Sequence, residues 1–221
     1  MNPPNFLTVL PSFDRASVLT IGDVILDQYW IGDASRISAE APVPIVTIEE
    51  REARLGGAAN VALNVATLGG RSALIGLCGD DENASILEAK CKTAGINPSL
   101  VRLHDYPTIT KLRIMSRQQQ LIRADDEEMF PPTEAQLVAK YHAAAAGYNA
   151  VVLSDYDKGT LSDPQLFIRA VLDDRKLVLV DPKYKNFECY RGVTMLKPNL
   201  KEFEAAVGEC RDESDLSLIH I

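Results

Sequence analysis

The chain has 221 residues, enough for one domain with a sizeable core or two small ones, and its 46% hydrophobic and 24% charged content excludes wholesale disorder. A formal charge of −8, from 31 acidic against 23 basic residues, argues against a general nucleic-acid binder, which needs clustered Lys and Arg to displace counterions. No run approaches the ~20 apolar residues of a membrane span, and the N-terminus lacks the basic start and apolar core of a signal peptide, so a soluble, cytoplasmic protein is expected. Cys78, Cys91, Cys189 and Cys210 form no C-x-x-C pair and stand at no zinc spacing from His104, His142 or His220, the pattern of free thiols in a reducing compartment.

Short apolar runs rich in β-branched residues alternate with longer helical patterns. Residues 18–21 read as a buried strand, and GDVILD (22–27) follows directly. Residues 42–49 (PVPIVTIE) read as a strand with no crossover helix behind it. Gly56-Gly57 then makes a turn into a helix that Asn60 opens, and residues 73–77 form the next buried strand. Residues 108–124 (TITKLRIMSRQQQLIRA) read as two alternating strands around a polar turn at 117–119, with Leu112 and Ile114 on one face and Lys111, Arg113 and Met115 on the other. Thr133 and Gln136 have capping-box spacing and predict a helix closing near Gly147. A strand at 150–153 precedes a second helix start, Ser162-Asp163-Pro164-Gln165, with proline where the first turn tolerates it. Residues 177–180 and 194–196 are strand-like. This alternation predicts a mostly parallel sheet covered by helices on both faces, with 42–49 and 108–124 in a small separate β-layer. There is no internal repeat, low-complexity tract or long linker.

The chemistry concentrates in two places. Gly56-Gly57 permits close backbone approach to a ligand, and the Asn60 amide can both donate to and accept from sugar hydroxyls; a glycine turn with a solvated asparagine would look the same. The spacing G-G-x-x-N-x-A at 56–62, followed by Gly69 and Gly79, resembles the first signature of the ribokinase-like (PfkB) carbohydrate kinases. That resemblance implies that Asp27 accepts hydrogen bonds from substrate hydroxyls, with Gly56, Gly57 and Asn60 completing the substrate site. Asn199-Leu200-Lys201-Glu202 resembles the family's N-x-x-E motif, in which the asparagine stands by the nucleotide phosphates and the glutamate, here Glu202, organises Mg²⁺ through water. The same four residues also read as a helix capping box, and the two readings are compatible because a helix start favours anions. Lys158, Lys183, Lys185, Arg113, Arg117 and Arg123 are candidates for phosphate contacts, and each is equally an ordinary surface charge.

The words GDVILDQYW, SRISAEAPVPIV, TITKLRIMSRQQQLIR, LSDYDKG and DPKYKNFECYRG narrow the resemblance to one branch, the heptose-7-phosphate kinases of lipopolysaccharide core synthesis, over residues 18–214. In that branch the kinase is often the N-terminal half of a bifunctional protein with an adenylyltransferase second half. The resemblance implies an α/β, ribokinase-like three-layer fold with a mostly parallel central sheet and a small β-lid, formed by segments near 40–50 and 108–124. It also implies ATP and Mg²⁺ as cofactors, a sugar phosphate as substrate, a homodimer through the lid, and neither nucleic acid nor membrane as partner. The family's second signature, Asp-Thr-x-Gly-Ala-Gly-Asp, whose last aspartate is the general base, does not occur in the sequence. The expectation is therefore a lead-in (1–17), a partial kinase domain (18–215) with no catalytic base, and a chain inactive by itself. Residues 216–221, LSLIHI, match a translation of CTG TCT CTT ATA CAC ATC, a transposase end used in sequencing libraries, and are expected to be a non-native tail. Two rivals stay open: a PfkB kinase acting on ribose, a fructose phosphate or a nucleoside, and a non-catalytic binding module.

Overall fold

The computed structural model describes residues 12–183 and 186–209; Lys185, Cys210 and the 216–221 tail lie outside the described residues. In chain order the elements are β1 (Ser17–Gly22), β2 (Val24–Ile37), β3 (Pro44–Gly57), α1 (Ala58–Thr67), β4 (Arg71–Gly79), α2 (Glu82–Thr93), β5 (Ile96–Leu103), β6 (Thr110–Ser116), β7 (Gln119–Asp126), α3 (Glu134–Ala145), β8 (Ala150–Ser154), α4 (Pro164–Asp173), β9 (Leu177–Asp181), a 3-10 turn (Phe187–Tyr190), β10 (Met195–Leu196) and α5 (Leu200–Val207).

Six strands form one sheet in the order β10-β9-β8-β1-β4-β5, every neighbouring pair parallel. A parallel sheet must be covered on both faces, which is why β4 is buried at every position after Arg71. On one face Leu19, Ile21, Ala73, Ile75, Leu77, Val151 and Leu153 pack against Leu137 and Tyr141 of α3 and Phe167, Ile168 and Val171 of α4. On the other, Leu74 packs with Ala58, Ala59 and Ala62 of α1 and Leu87 and Cys91 of α2. The small residues along α1 let that helix sit close to the strands. The result is the three-layer α/β arrangement that the sequence predicts.

The second sheet, in the order β3-β2-β6-β7, is the lid. Of its two inner strands, β2 is not predicted from the sequence, where GDVILD reads only as a strand start. The expected strand at 42–49 is likewise corrected: β3 runs on to Gly57 and hands over directly to α1. Register irregularities at Ile31/Gly32 and Asp33/Arg36 break the alternation that would have shown β2 and β3 to be a 14-residue pair. The alternation read from 108–124 does hold. Gln28 and Trp30 stand opposite Leu112 and Ile114, whereas Asp27 and Tyr29 stand opposite Lys111 and Arg113. At the base of the lid Leu26 N–H donates to Ile109 O, just ahead of β6, and a Gln28–Asn83–Thr110 side-chain relay ties β2 and β6 to the head of α2.

Helix α4 starts as read, with the Asp163 side chain accepting from Gln165 N–H and Pro164 at the first position. Helix α3 starts at the expected place without its expected cap. The Thr133 hydroxyl donates to Pro131 O instead, so the capping box spelled by Thr133 and Gln136 does not form.

Phe167 is fully buried between α4 and the sheet, whereas Leu172 on the same helix is 41% exposed. Phe167→Ala is expected to cost about 3–5 kcal/mol and Leu172→Ala about 0.5 kcal/mol or less, read as shifts in urea midpoint at constant slope.

Candidate functional site

The carboxyl ends of parallel strands are where an open α/β sheet leaves room for ligands. Here β1, β8 and β9 each end in or beside an acid: Asp23, Asp155 and Asp181. Asp23 is 1% exposed. Its carboxylate accepts three backbone N–H groups from the loop after β8, those of Tyr156 (2.7 Å), Lys158 (3.1 Å) and Thr160 (3.1 Å). Burial nevertheless dominates those bonds and pushes the Asp23 carboxyl above the usual range. Beside it, Asp155 accepts from Asp157 N–H and from the Tyr190 hydroxyl at 2.8 Å. Burial, with help from the Asp23 charge, pushes Asp155 up to about 6.

The predicted substrate residues hang from this edge. Asp27 lies on β2 four residues past Asp23, and its carboxylate packs so closely on Gly56 that a Cβ there would collide with it. Gly57 has φ 54°, the left-handed region that favours glycine, and caps α1. Asp27 and Gly56 thus meet directly. Asn60 is exposed in the first turn of α1 and lines a recess with Arg54, the cross-strand partner of Asp27. The nearest charge to Asp27 is Arg113, whose Nη1 donates to Oδ1 at 2.6 Å.

The second predicted group sits past β10, at the same end of the sheet. The Asn199 side chain accepts from Glu202 N–H, and the Glu202 carboxylate accepts from Asn199 N–H, so the capping box is complete at the head of α5. Leu200 and Lys201 are exposed. One Glu202 oxygen is taken by the cap; the other is approached by Lys183 at 3.9 Å. Burial first, and then the negative charges of Asp181, Glu202, Asp27 and Asp23, push the Tyr156 phenol up. Sequence reasoning quoted LSDYDKG but gave Asp23, Asp155 and Tyr156 no role. Their place directly after apolar strands narrows where to look, but nothing local separates these acids from turn acids.

The remaining cations divide by place. Lys158 pairs with Glu127 at 2.8 Å and Arg123 with Asp125 at 2.8 Å. Arg117 sits at the β6–β7 turn with φ 55°. Among the described residues no group of three or more His, Cys, Asp or Glu side chains is placed to hold a metal ion, and no helix is long and apolar enough to cross a membrane.

A doubly covered parallel sheet with a β-lid at its carboxyl edge defines an α/β protein of the ribokinase-like fold. The fold is shared with a carbohydrate kinase from Agrobacterium tumefaciens (TM-score 0.70, 17% identity, 92% of this chain and 67% of that one). It is shared as well with the ribokinase of Giardia lamblia (TM-score 0.67, 16% identity, 92% and 68%). The chain belongs to the pfkB family of carbohydrate kinases, whose family model matches residues 15–220. It is 52% identical over 209 residues to the bifunctional protein HldE of Psychromonas ingrahamii and 50% identical over 209 residues to that of Vibrio cholerae. These alignments cover 94% of this chain but only 44% of each relative, so the chain spans less than half the length of those proteins.

A carboxyl whose folded pKa is raised gives stability that is full below the ordinary carboxylate range and is lost as pH rises through the folded value. For Asp155 the window runs from about pH 4 to about pH 6. Asp155→Asn, which stays neutral, should therefore remove roughly 2–3 kcal/mol of the stability lost between pH 4 and pH 7, read as the difference between variant and wild type in urea unfolding. A difference that does not change with pH contradicts this.

Proposed function

We propose that the intact protein carrying this domain transfers a phosphoryl group from ATP to the anomeric hydroxyl of D-glycero-β-D-manno-heptose 7-phosphate, giving the 1,7-bisphosphate, in the cytoplasm. The observation that carries this reading is the placement of both candidate groups at one end of the sheet, Asp27 against Gly56 beyond β1 and the Asn199–Glu202 capping box beyond β10. Family membership supports the reaction class, and the half-length match to relatives named as bifunctional supports a kinase that is one part of a longer polypeptide.

Asp27 would accept hydroxyl donors from the sugar, Gly56 and Gly57 would let the sugar approach the backbone, and Asn60 would hold a further hydroxyl from the head of α1. Asn199 would stand at the nucleotide phosphates with Leu200 and Lys201, and Glu202 would hold Mg²⁺ through water. The donor set fits through the Glu202 oxygen left outside the cap, which Lys183 approaches at 3.9 Å, while the helix start favours the phosphate anions. When bound, the ion neutralises charge on the phosphates. The rest is positioning. The lid closes over the sugar side and keeps out water that would otherwise take the phosphoryl group. We propose further that the general base belongs to the absent second signature, that the lid also pairs two subunits, and that residues 216–221 are not native.

Three outcomes are expected. In the kinase completed through the second signature, Asp27→Ala or Asn60→Ala lowers kcat/KM for the heptose phosphate by at least ~1.5 kcal/mol, the cost of a charge-assisted or buried hydrogen bond. Wild-type values in either variant would remove that residue from the site. Glu202→Gln keeps the capping box, because glutamine also closes it, but loses the charge, so activity falls while the melting temperature holds. ADP release with heptose 7-phosphate is expected from the completed kinase, and not from residues 1–221 alone, since loss of a general base and an anion hole costs ~10²-fold or more each. Sugar-dependent turnover by the short chain would show that the machinery lies elsewhere.

A further inference from the structure

Of the six candidate cations for an acceptor's phosphate, five lie within the described residues, and the geometry sets Arg113 apart. The pairing register puts Asp27 and Tyr29 of β2, Arg54 of β3, and Lys111 and Arg113 of β6 on one face of the lid sheet, the face that Asp27 presents to the cleft. On that face Lys111 is drawn to Asp125 at 3.5 Å and to Glu127 at 3.9 Å. Arg54 forms a two-pronged pair with Glu52, both bonds 2.7 Å. Arg113 differs. A guanidinium has five N–H donors. Arg113 uses only those of Nη1, toward Asp27 Oδ1 at 2.6 Å and Lys111 O at 3.4 Å. The three N–H groups on Nε and Nη2 have no hydrogen-bond partner among the described residues.

The group is also held in place. Its side chain is 20% exposed, and its guanidinium carbon lies 5.2 Å from the centre of the Tyr29 ring. Arg54 comes over the same ring from the opposite neighbouring strand at 4.4 Å. A stacked, fixed guanidinium with one edge bound to a carboxylate and the other edge open presents two parallel donors to an oxyanion, the geometry that suits a phosphate monoester.

We infer that Arg113 is the residue that selects an acceptor sugar carrying a phosphate: its Nη1 edge fixes Asp27 for the sugar hydroxyls, and its Nε–Nη2 edge receives the phosphate, with Arg54 adding charge across Tyr29. This rests on the proposal that Asp27 holds the acceptor, and it goes further by naming the phosphate's partner. A role confined to orienting Asp27 would act on every acceptor equally. A phosphate contact acts only on the phosphorylated one.

The test is the ratio of kcat/KM for heptose 7-phosphate to that for unphosphorylated heptose in the full-length kinase, for wild type, Arg113→Met and Arg113→Lys. Arg113→Met is expected to lower that ratio about 30-fold, the worth of a charge-assisted bidentate contact. Arg113→Lys keeps the charge but not the fork and is expected to lower it about tenfold, which keeps the test open if the methionine variant does not fold. Equal losses on both acceptors, or no loss on either, overturn the inference. Should wild type use neither heptose, the kinase reading fails by itself, and calorimetric titration with inorganic phosphate then decides on the subsite. Weaker binding by Arg113→Met than by wild type supports it; equal binding, or none to wild type, overturns it.

Discussion

One buried carboxylate holds the carboxyl edge of the sheet together. Asp23 donates its own N–H to Ser154 O, accepts the first N–H of α1 (Ala58) at its carbonyl, and accepts the N–H groups of Tyr156, Lys158 and Thr160 at its side chain. Five bonds thereby join the end of β1 to β8, to the loop beyond β8, and to the head of the helix that carries Asn60. Two residues later the chain is already in the lid, so the position of Asp27 follows from that of Asp23. Taking a carboxylate out of water costs several kcal/mol, and burial does raise its pKa here. Three backbone donors on one carboxylate are what make its ionised form tolerable there.

From that knot the function-bearing parts spread in two directions. Toward β9 and β10 the acids continue through Asp155 and Asp181 to Glu202, whose capping box sets the carboxylate at the start of α5. Toward the lid they continue to Asp27, which is braced by Gly56 behind and Arg113 beside it. Tyr156, exposed on the loop that Asp23 organises, feels the negative charge of acids on both sides. The sheet edge, the loop after β8 and the head of α1 are thus registered by hydrogen bonds of one residue.

The sheet was legible because its physics is local. Residues 18–21, 73–77, 150–153 and 177–180 are apolar, β-branched and bounded by turns, and each became a strand with at most two residues added at either end. The lid was half legible. Residues 108–124 alternate cleanly, whereas β2 mixes polar, aromatic and glycine residues and is broken by bulges, so its pairing with β3 is fixed by partners far away in the chain. Asp27, Gly56, Gly57 and Asn60 could be named only through their resemblance to a family signature, because no local property separates a ligand aspartate from a turn aspartate. Asp23 shows the limit most plainly. Its three partners lie more than 130 residues on, and nothing in the run GDVILD announces them. At Thr133 the local rule gave the right helix and the wrong bond, since a nearer carbonyl competes for the hydroxyl.

The central claim is that Asp23 holds the post-β8 loop against the end of β1 and the head of α1. Amide hydrogen exchange resolved at Tyr156, Lys158 and Thr160 tests it most directly, in wild type and in Asp23→Ala under conditions where both remain folded. The account predicts slow exchange at these three amides in wild type. In the variant their protection falls by about tenfold or more, the loss of a buried charge-assisted bond, while amides inside β4 keep theirs. Unchanged protection at the three amides in Asp23→Ala would contradict it.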